Sequence, residues 1–371
     1  MKLKILIAAG MMERKLISKI EPIIKSDLTG TVFLVRKDKI DHLPKTVCYS
    51  QNSKLFRLKV INEIVRTLTI LTIIIKKKPD LIIGIGMVPH GIITGICGKL
   101  TRTTTISQLM GKNDLHLTYP GRKLRQRLLT KIAGWADMIG TRGTVSRDWL
   151  ISQGIPGEKI FIPHNVFDFD SFRPRKEDKL YDLIYIGHIR YYKRVDLLVD
   201  VVDKLVNAYN MPEVSLAVIG NGKLKSKIAE YAALRGVSRN IHFPDTGDAE
   251  YLNHKLNQSR VFIMTSQGEG LPMAAVEALS CGIPVAIFQD SDIPDICIHD
   301  YNSMLSPLYD TDSMAWNVNR MLTDNQLYNT LSEGASRFRE EKEKEYSPEN
   351  LEKIWEDVLL NLFPAKTSSR E

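Results

Sequence analysis

The sequence predicts an α/β protein built from two doubly wound parallel domains. Three observations predict it. The chain has 371 residues, more than a single hydrophobic core usually serves. Short β-rich apolar runs alternate with segments of helical periodicity along nearly its whole length, the pattern of parallel sheets covered by helices. The alternation then restarts after IPHNVFDFDSFRPRKEDK (162–179), a stretch dense in charge, proline and turn residues.

In order along the chain, KILIAA, TVFLV, DLIIGIG and TTTISQL read as strands of the first domain. DLIYIG, SLAVIG, RVFIMTS and PVAIF read as strands of the second. A helical stripe of Leu58, Ile61, Val65, Leu68 and Leu71 separates two of the early strands. The last periodic segment, Pro348 to Phe363, carries Leu351, Ile354, Trp355, Val358, Leu359 and Leu362 and reads as a helix. The expected division is 1–166, then 167–345, then a C-terminal helix and tail over 346–371 that returns to the first domain.

Composition excludes several classes. Charged residues make up 25% and apolar ones 43%, which is ordinary for a soluble globular chain. The opening MKLKILIAAG has too short an apolar run for a signal peptide. The greasiest stretch, Leu68 to Ile75, falls far short of the roughly 20 residues of a membrane span. Cys48, Cys97, Cys281 and Cys297 are scattered with no CxxC pair, so reduced thiols and a cytoplasmic location are expected.

Charge is unevenly placed. Residues 1–166 hold 28 Lys+Arg against 11 Asp+Glu, a net of +17, and the remainder holds 23 against 32, a net of −9. Such asymmetry speaks to partners. YPGRKLRQRLLTKIAG (119–134) sets five cations beside Leu124, Leu128 and Ile132. It reads either as an ordinary helix with a solvated basic face or as a helix lying on an anionic membrane. Nucleic acid is not expected, because no binding module is found and aromatics do not interleave with the basic residues.

The chemistry concentrates in SQGEGLPMAAVEALSCGIP (266–284), a strand end, a glycine loop and a helix. Pro272 suits a first helical turn and Gly282 a helix end. Backbone N–H groups around Gly270, Leu271 and Pro272–Met273 then form a helix start apt for a diphosphate. Glu269 lies in the loop and Glu277 inside the helix. Taken alone, the two are equally a helix-start acid and a solvated helix acid. Beside an anion site they make sense if the ligand also carries hydroxyls, since a carboxylate accepts hydrogen bonds from neighbouring hydroxyls.

Glu269-Gly270-Leu271-Pro272 with Glu277-Ala278-Leu279 resembles the E-x7-E signature of family 4 retaining glycosyltransferases. The resemblance extends over 143–310, through GTVSRDWLISQGIPGEKIFIPHNVFDFDSF, YIGHIRYYKRVDLLVD, LAVIGNG and IPDICIHDYNSMLSP. It implies the GT-B fold, two Rossmann-like domains facing each other across a cleft, the first binding an acceptor and the second a nucleotide sugar. It implies transfer with retention from a UDP- or GDP-sugar to a glycan or lipid-linked acceptor in polysaccharide or glycolipid synthesis, with no cofactor and no metal. Lys193, six residues after Gly187, matches the family's phosphate-binding lysine. His188 stands where the family usually has Arg, so His188 donates to the phosphate or Arg190 or Arg194 supplies the charge. Glu269 is implied near the sugar, Glu277 at the donor ribose, and Gly10 facing the phosphates from the first domain.

Other strings are weaker. DFD (168–170) and DSD (290–292) resemble a metal-binding DxD but fall in expected loops. GIG (84–86) lacks the full dinucleotide spacing. His90 either reaches the site from the acceptor side or simply ends a strand. Two rival functions stand beside glycosyl transfer: a nucleotide-sugar epimerase of similar fold, and a non-catalytic nucleotide-sugar-binding protein.

Overall fold

A computed structural model describes residues 2–11, 13–40, 42–50, 59–110, 114, 123–290 and 292–364. The chain divides into two compact units, Met1–Val166 with Glu345–Glu371, and Phe167–Lys344.

The first unit contains β1 (Leu3–Ala9), α1 (Glu13–Lys25), β2 (Thr29–Arg36), β3 (Thr46–Ser50), α2 (Lys59–Lys77) and β4 (Leu81–Ile85). α3 (Ile92–Thr101), β5 (Thr104–Gln108), α4 (Lys123–Ala133), β6 (Met138–Gly140), α5 (Thr144–Ser152) and β7 (Ile160–Phe161) complete its N-terminal part. The strands form one sheet in the order β3-β2-β1-β4-β5-β6-β7, and every pairing is parallel. β1, with Ile5, Leu6 and Ile7 fully buried, sits between two partners and so reads as a continuous apolar run.

The second unit contains β8 (Tyr181–Ile186), α6 (Val195–Asn207), β9 (Leu216–Ile219), α7 (Lys225–Leu234), β10 (Ile241–His242), α8 (Ala249–Asn257) and β11 (Ser259–Met264). α9 (Met273–Ser280), β12 (Val285–Phe288), β13 (Ser303–Ser306), α10 (Thr311–Thr323) and α11 (Asn325–Lys342) follow. Its sheet runs β10-β9-β8-β11-β12-β13, again all parallel.

α12 (Pro348–Leu362) is the last element and belongs to the first unit. Ser347 caps it by accepting from the Asn350 N–H, and Pro348 fills its first turn. Leu351, Trp355, Val358 and Leu359 share a core with β1 and α1. The Trp355 ring meets Phe161 edge-on, centroids 5.2 Å apart, a favoured aromatic geometry.

Two helices present different faces from those read in the sequence. α2 buries Arg66, Ile70, Ile73 and Ile74, while Leu68 stands exposed. Its apolar residues nearly encircle it, so periodicity did not select the packed side, and Leu58 lies outside the described residues. α4 buries Ile132 but leaves Leu124 and Leu128 at 82% and 54% exposure. Its apolar stripe therefore runs off the core into solvent.

Parallel winding fixes where ligands can bind. Chain direction diverges between β1 and β4 in the first unit and between β8 and β11 in the second, which opens a crevice at the carboxyl ends of those strands. Trp355→Ala should destabilise the first unit by about 3–5 kcal/mol, read as a lower denaturation midpoint in circular dichroism.

Candidate functional site

In the second unit, the crevice lies between the loops that leave β8 and β11. The loop after β8 is locked by backbone contact with the loop after β9. Gly187 N–H donates to Ile219 O at 3.0 Å, and Ile189 N–H to Asn221 O at 3.0 Å. A Cβ on Gly220 would stand 1.8 Å from Gly187 O, and one on Gly222 2.0 Å from Ile189 O. Only glycine permits that approach. Beneath the loop, the buried Tyr185 hydroxyl donates to His188 O at 3.3 Å. Burial, and then the nearby Glu269 carboxylate, push that phenol's pKa up.

A short turn at Tyr191–Lys193 follows, then Arg194 in left-handed conformation at φ 47°. The turn aims Lys193 at the β11 loop, where its ammonium pairs with the Glu269 carboxylate. Only 15% and 18% of the two side chains are exposed. The Arg194 guanidinium is spent on Asp196, at 2.8–3.1 Å, and lies over the Tyr309 ring. Its charge is therefore already engaged within the loop.

The loop carrying Glu269 is held along its length. Thr265 Oγ1 donates to Arg194 O at 2.8 Å, and Gln267 N–H to Tyr192 O at 2.9 Å. The Tyr309 hydroxyl bonds the Gln267 side chain, and Gly268 N–H donates to Asp290 at 2.6 Å. Leu271 and Pro272 are buried and seat the start of α9. Pro272 takes the N-cap position there, with no side-chain cap. Gly270 and Leu271 thus lead into a helix start whose dipole favours an anion.

Glu277 sits half-buried on α9, and burial pushes its carboxyl up to about 7. This is a costly place for a carboxylate with nothing to bond.

His188 and Arg190 are both exposed. With Tyr191, Asn221, Gly222 and Lys223 they line a hollow of about 510 Å³ beside the loop. Lys223 went unread in the sequence. Its signal was its place directly after Gly222, in the loop pressed against the β8 exit.

In the first unit, Gly10 and His90 come together at the β1–β4 crevice. A Cβ on Gly10 would fall 2.6 Å from His90 Cε1. His90 is 5% exposed, and burial together with Arg66 lowers its pKa to about 4. The DxD-like strings have structural duties. Asp168 accepts from the Asp170 and Ser171 N–H groups in a turn, and Asp170 pairs with Arg339. Asp290 tethers Gly268, while Ser291 lies outside the described residues. Among the described residues no group of three or more His, Cys, Asp or Glu is placed to hold a metal.

The basic helix read at 119–134 is described from residue 123, so Arg122 lies outside the described residues. Ile96 and Leu100 on α3 and Leu124 and Leu128 on α4 are exposed. Trp135 joins two neighbouring hollows, one holding Arg127 and Lys131, the other Lys99 and Arg102. No described helix is long and apolar enough to cross a membrane.

Comparison with known proteins adds to this geometry. Residues 166–338 match the family described as Glycosyl transferases group 1. An uncharacterized glycosyltransferase of Haemophilus influenzae is 25% identical over 179 residues, 48% of each chain. The N-acetyl-alpha-D-glucosaminyl L-malate synthase of Bacillus anthracis is 25% identical over 185 residues, 48% of this chain and 45% of that protein. The chain spans about half the length of the curated relatives it matches. Among solved structures, Anabaena HepE in complex with UDP superimposes with a TM-score of 0.74 at 14% identity, over 97% of this chain and 100% of that one. Sucrose-phosphate synthase of Thermosynechococcus elongatus gives 0.75 at 14% identity, over 98% and 100%. The fold is the two-unit α/β arrangement of GT-B glycosyltransferases.

Glu277 makes stability depend on pH. Its carboxyl titrates at about 7 in the folded chain against 4.5 ordinarily, so the folded state holds the proton longer. Stability is then full below about 4.5, falls as pH rises to about 7, and stays low above. Glu277→Gln should be more stable than the parent at pH 8, by on the order of 1–3 kcal/mol. The gain should vanish near pH 4, as read by urea titration at each pH.

Proposed function

We propose that this chain is a family 4 retaining glycosyltransferase. It moves a sugar from a nucleoside-diphosphate donor to a glycan or lipid-linked acceptor in polysaccharide or glycolipid synthesis. One observation carries the reading: the Lys193–Glu269 pair stands at the β8–β11 switch point, beside the start of α9. A cation and a helix start suit a diphosphate, and carboxylates suit hydroxyls. Relatives of the same fold solved with UDP and with UDP-glucose support a UDP-sugar donor, with a GDP-sugar as the other candidate.

On this reading, bond cleavage at the anomeric carbon leaves negative charge on the outer phosphate. Lys193 and the N–H groups at Gly270 and Leu271 stabilise that charge as it develops. They are fixed in advance, the kind of electrostatic contribution that usually dominates catalysis. Glu269 accepts hydrogen bonds from the transferred sugar and Glu277 from the ribose. The exposed His188, Arg190 and Lys223 supply further donors to the phosphates. Neutralisation by protein cations leaves no task for a metal.

An epimerase would convert the donor with no acceptor present, and a binding protein would turn nothing over. Product analysis of donor alone, and of donor with acceptor, separates the three. A thermal-shift screen of UDP-, GDP- and ADP-sugars identifies the donor, since a ligand that binds only the folded chain raises its stability. Lys193→Ala should lower kcat by about 10²–10³-fold with little change in melting temperature. Near-normal turnover would refute the assignment.

We further propose that the α3–α4 face, with its exposed leucines, Trp135 and four cations, rests on an anionic membrane. The chain is then peripheral at the inner face of the membrane. Vesicles containing phosphatidylglycerol should pull the protein down in sedimentation, and salt should weaken the binding. Equal binding to neutral vesicles would count against it.

A further inference from the structure

Lys193 and Glu269 ride on two separate loops, so their pairing depends on whatever fixes one loop against the other. Two contacts join the loops directly, from Gln267 N–H to Tyr192 O at 2.9 Å and from Thr265 Oγ1 to Arg194 O at 2.8 Å. A third loop adds to them. It leaves β13 at the edge of the second sheet, with β12 standing between β13 and β11. From there Tyr309 reaches both of the other loops.

The Tyr309 hydroxyl donates to Gln267 Oε1 in the β11 loop. Its ring lies against Arg194 of the β8 loop, with Arg194 Cζ 5.4 Å from the ring centre, within the range of a cation–π contact. Asp196 holds the same guanidinium at 2.8–3.1 Å, so the arginine is gripped twice. Arg194 directly follows Lys193, and Gln267 stands two residues before Glu269. One side chain therefore grips each loop within two residues of the ion pair.

The backbone at Tyr309 is unusual for its residue type. Its φ is 68°, in the left-handed region where glycine or asparagine is ordinary and a tyrosine is strained. Such strain persists where the surroundings over-determine it, and it gathers at functional sites. Core packing does not explain the tyrosine, which is 46% exposed. Nor does the shape of its loop. Lys204 Nζ donates to Thr311 Oγ1 at 2.9 Å, and Asp310 accepts from the Ser313 N–H at 2.9 Å to cap α10. These contacts anchor the loop without the ring.

We infer that Tyr309 is a positioning residue for glycosyl transfer, clamping the Arg194 and Gln267 loops so that Lys193 and Glu269 stay paired at the β8–β11 crevice. The clamp stands on geometry alone, and its effect on turnover rests on the transferase reading.

Two variants of the full chain test it. Tyr309→Phe keeps the ring against Arg194 and drops the bond to Gln267. Tyr309→Gly removes both contacts and relieves the left-handed strain. Hydrogen–deuterium exchange without ligand should quicken about fivefold over 265–269 in Tyr309→Phe, and over both 190–194 and 265–269 in Tyr309→Gly. Melting temperature should stay within a few degrees, because relief of strain offsets the lost contacts. Combining Tyr309→Phe with Gln267→Leu should add nothing to the exchange seen with Gln267→Leu alone. Kinetics use the sugar nucleotide that most raises the parent's melting temperature. There kcat should fall about tenfold in Tyr309→Gly and less in Tyr309→Phe, with KM for the donor changed less than about twofold. Unchanged exchange in both variants overturns the inference. Faster exchange with undiminished kcat also overturns it, by making the contacts merely structural. Normal turnover in Lys193→Ala refutes the transferase reading instead, and exchange alone then decides the clamp.

Discussion

A strand buried between two parallel neighbours points the same way as they do. Every connection must therefore cross back through a helix and leave again from the same edge. That constraint organises both units. It gathers the exits of β1, β2, β4 and β5 on one edge of the first sheet, and those of β8, β9 and β11 on one edge of the second. At the central pair of each sheet the connections diverge to opposite sides and open a crevice. Gly10 and His90 meet at one crevice, Lys193 and Glu269 at the other. These partners lie 76 residues apart in sequence in the second unit, and winding alone brings them together.

The second crevice is built on rigidity. The β8 and β9 loops touch backbone to backbone, which fixes the turn that aims Lys193. The Glu269 loop is tied to Tyr192, Arg194, Asp290 and Tyr309. A partly buried ion pair gives little net stability, because desolvation offsets attraction. Its value lies in holding both side chains in one orientation. Glu277 shows the opposite economy, a carboxyl held where burial opposes its charge.

Much of this was legible in the residues. The strands β1, β2, β4, β5, β8, β9, β11 and β12 announce themselves, and so does the SQGEGLPMAAVEALSCGIP loop and helix. The strands β3, β6, β7, β10 and β13 did not, since they lie at or next to the sheet edges and their pairing is decided by neighbours already in place. Glu269 was marked by its glycine loop and Lys193 only by the family resemblance, and the structure pairs the two. Lys223 could not be read, because its place beside the β8 loop comes from what surrounds it in space. His90 was visible as a residue, while its burial against Gly10 was not. The face of α2 misled for a related reason: a helix apolar nearly all round does not say which side the sheet will claim.

The position of α12 has a consequence for how the chain comes into being. The first unit is completed by Leu351, Trp355, Val358 and Leu359, which are made only after the whole second unit. A nascent chain therefore exposes the whole second unit, Phe167–Lys344, before the older half can close its core. During synthesis the younger, contiguous half is the one able to finish first, and the N-terminal half waits for α12 with an apolar seam open. Loss of α12 would then damage a domain whose other strands are encoded far upstream of it.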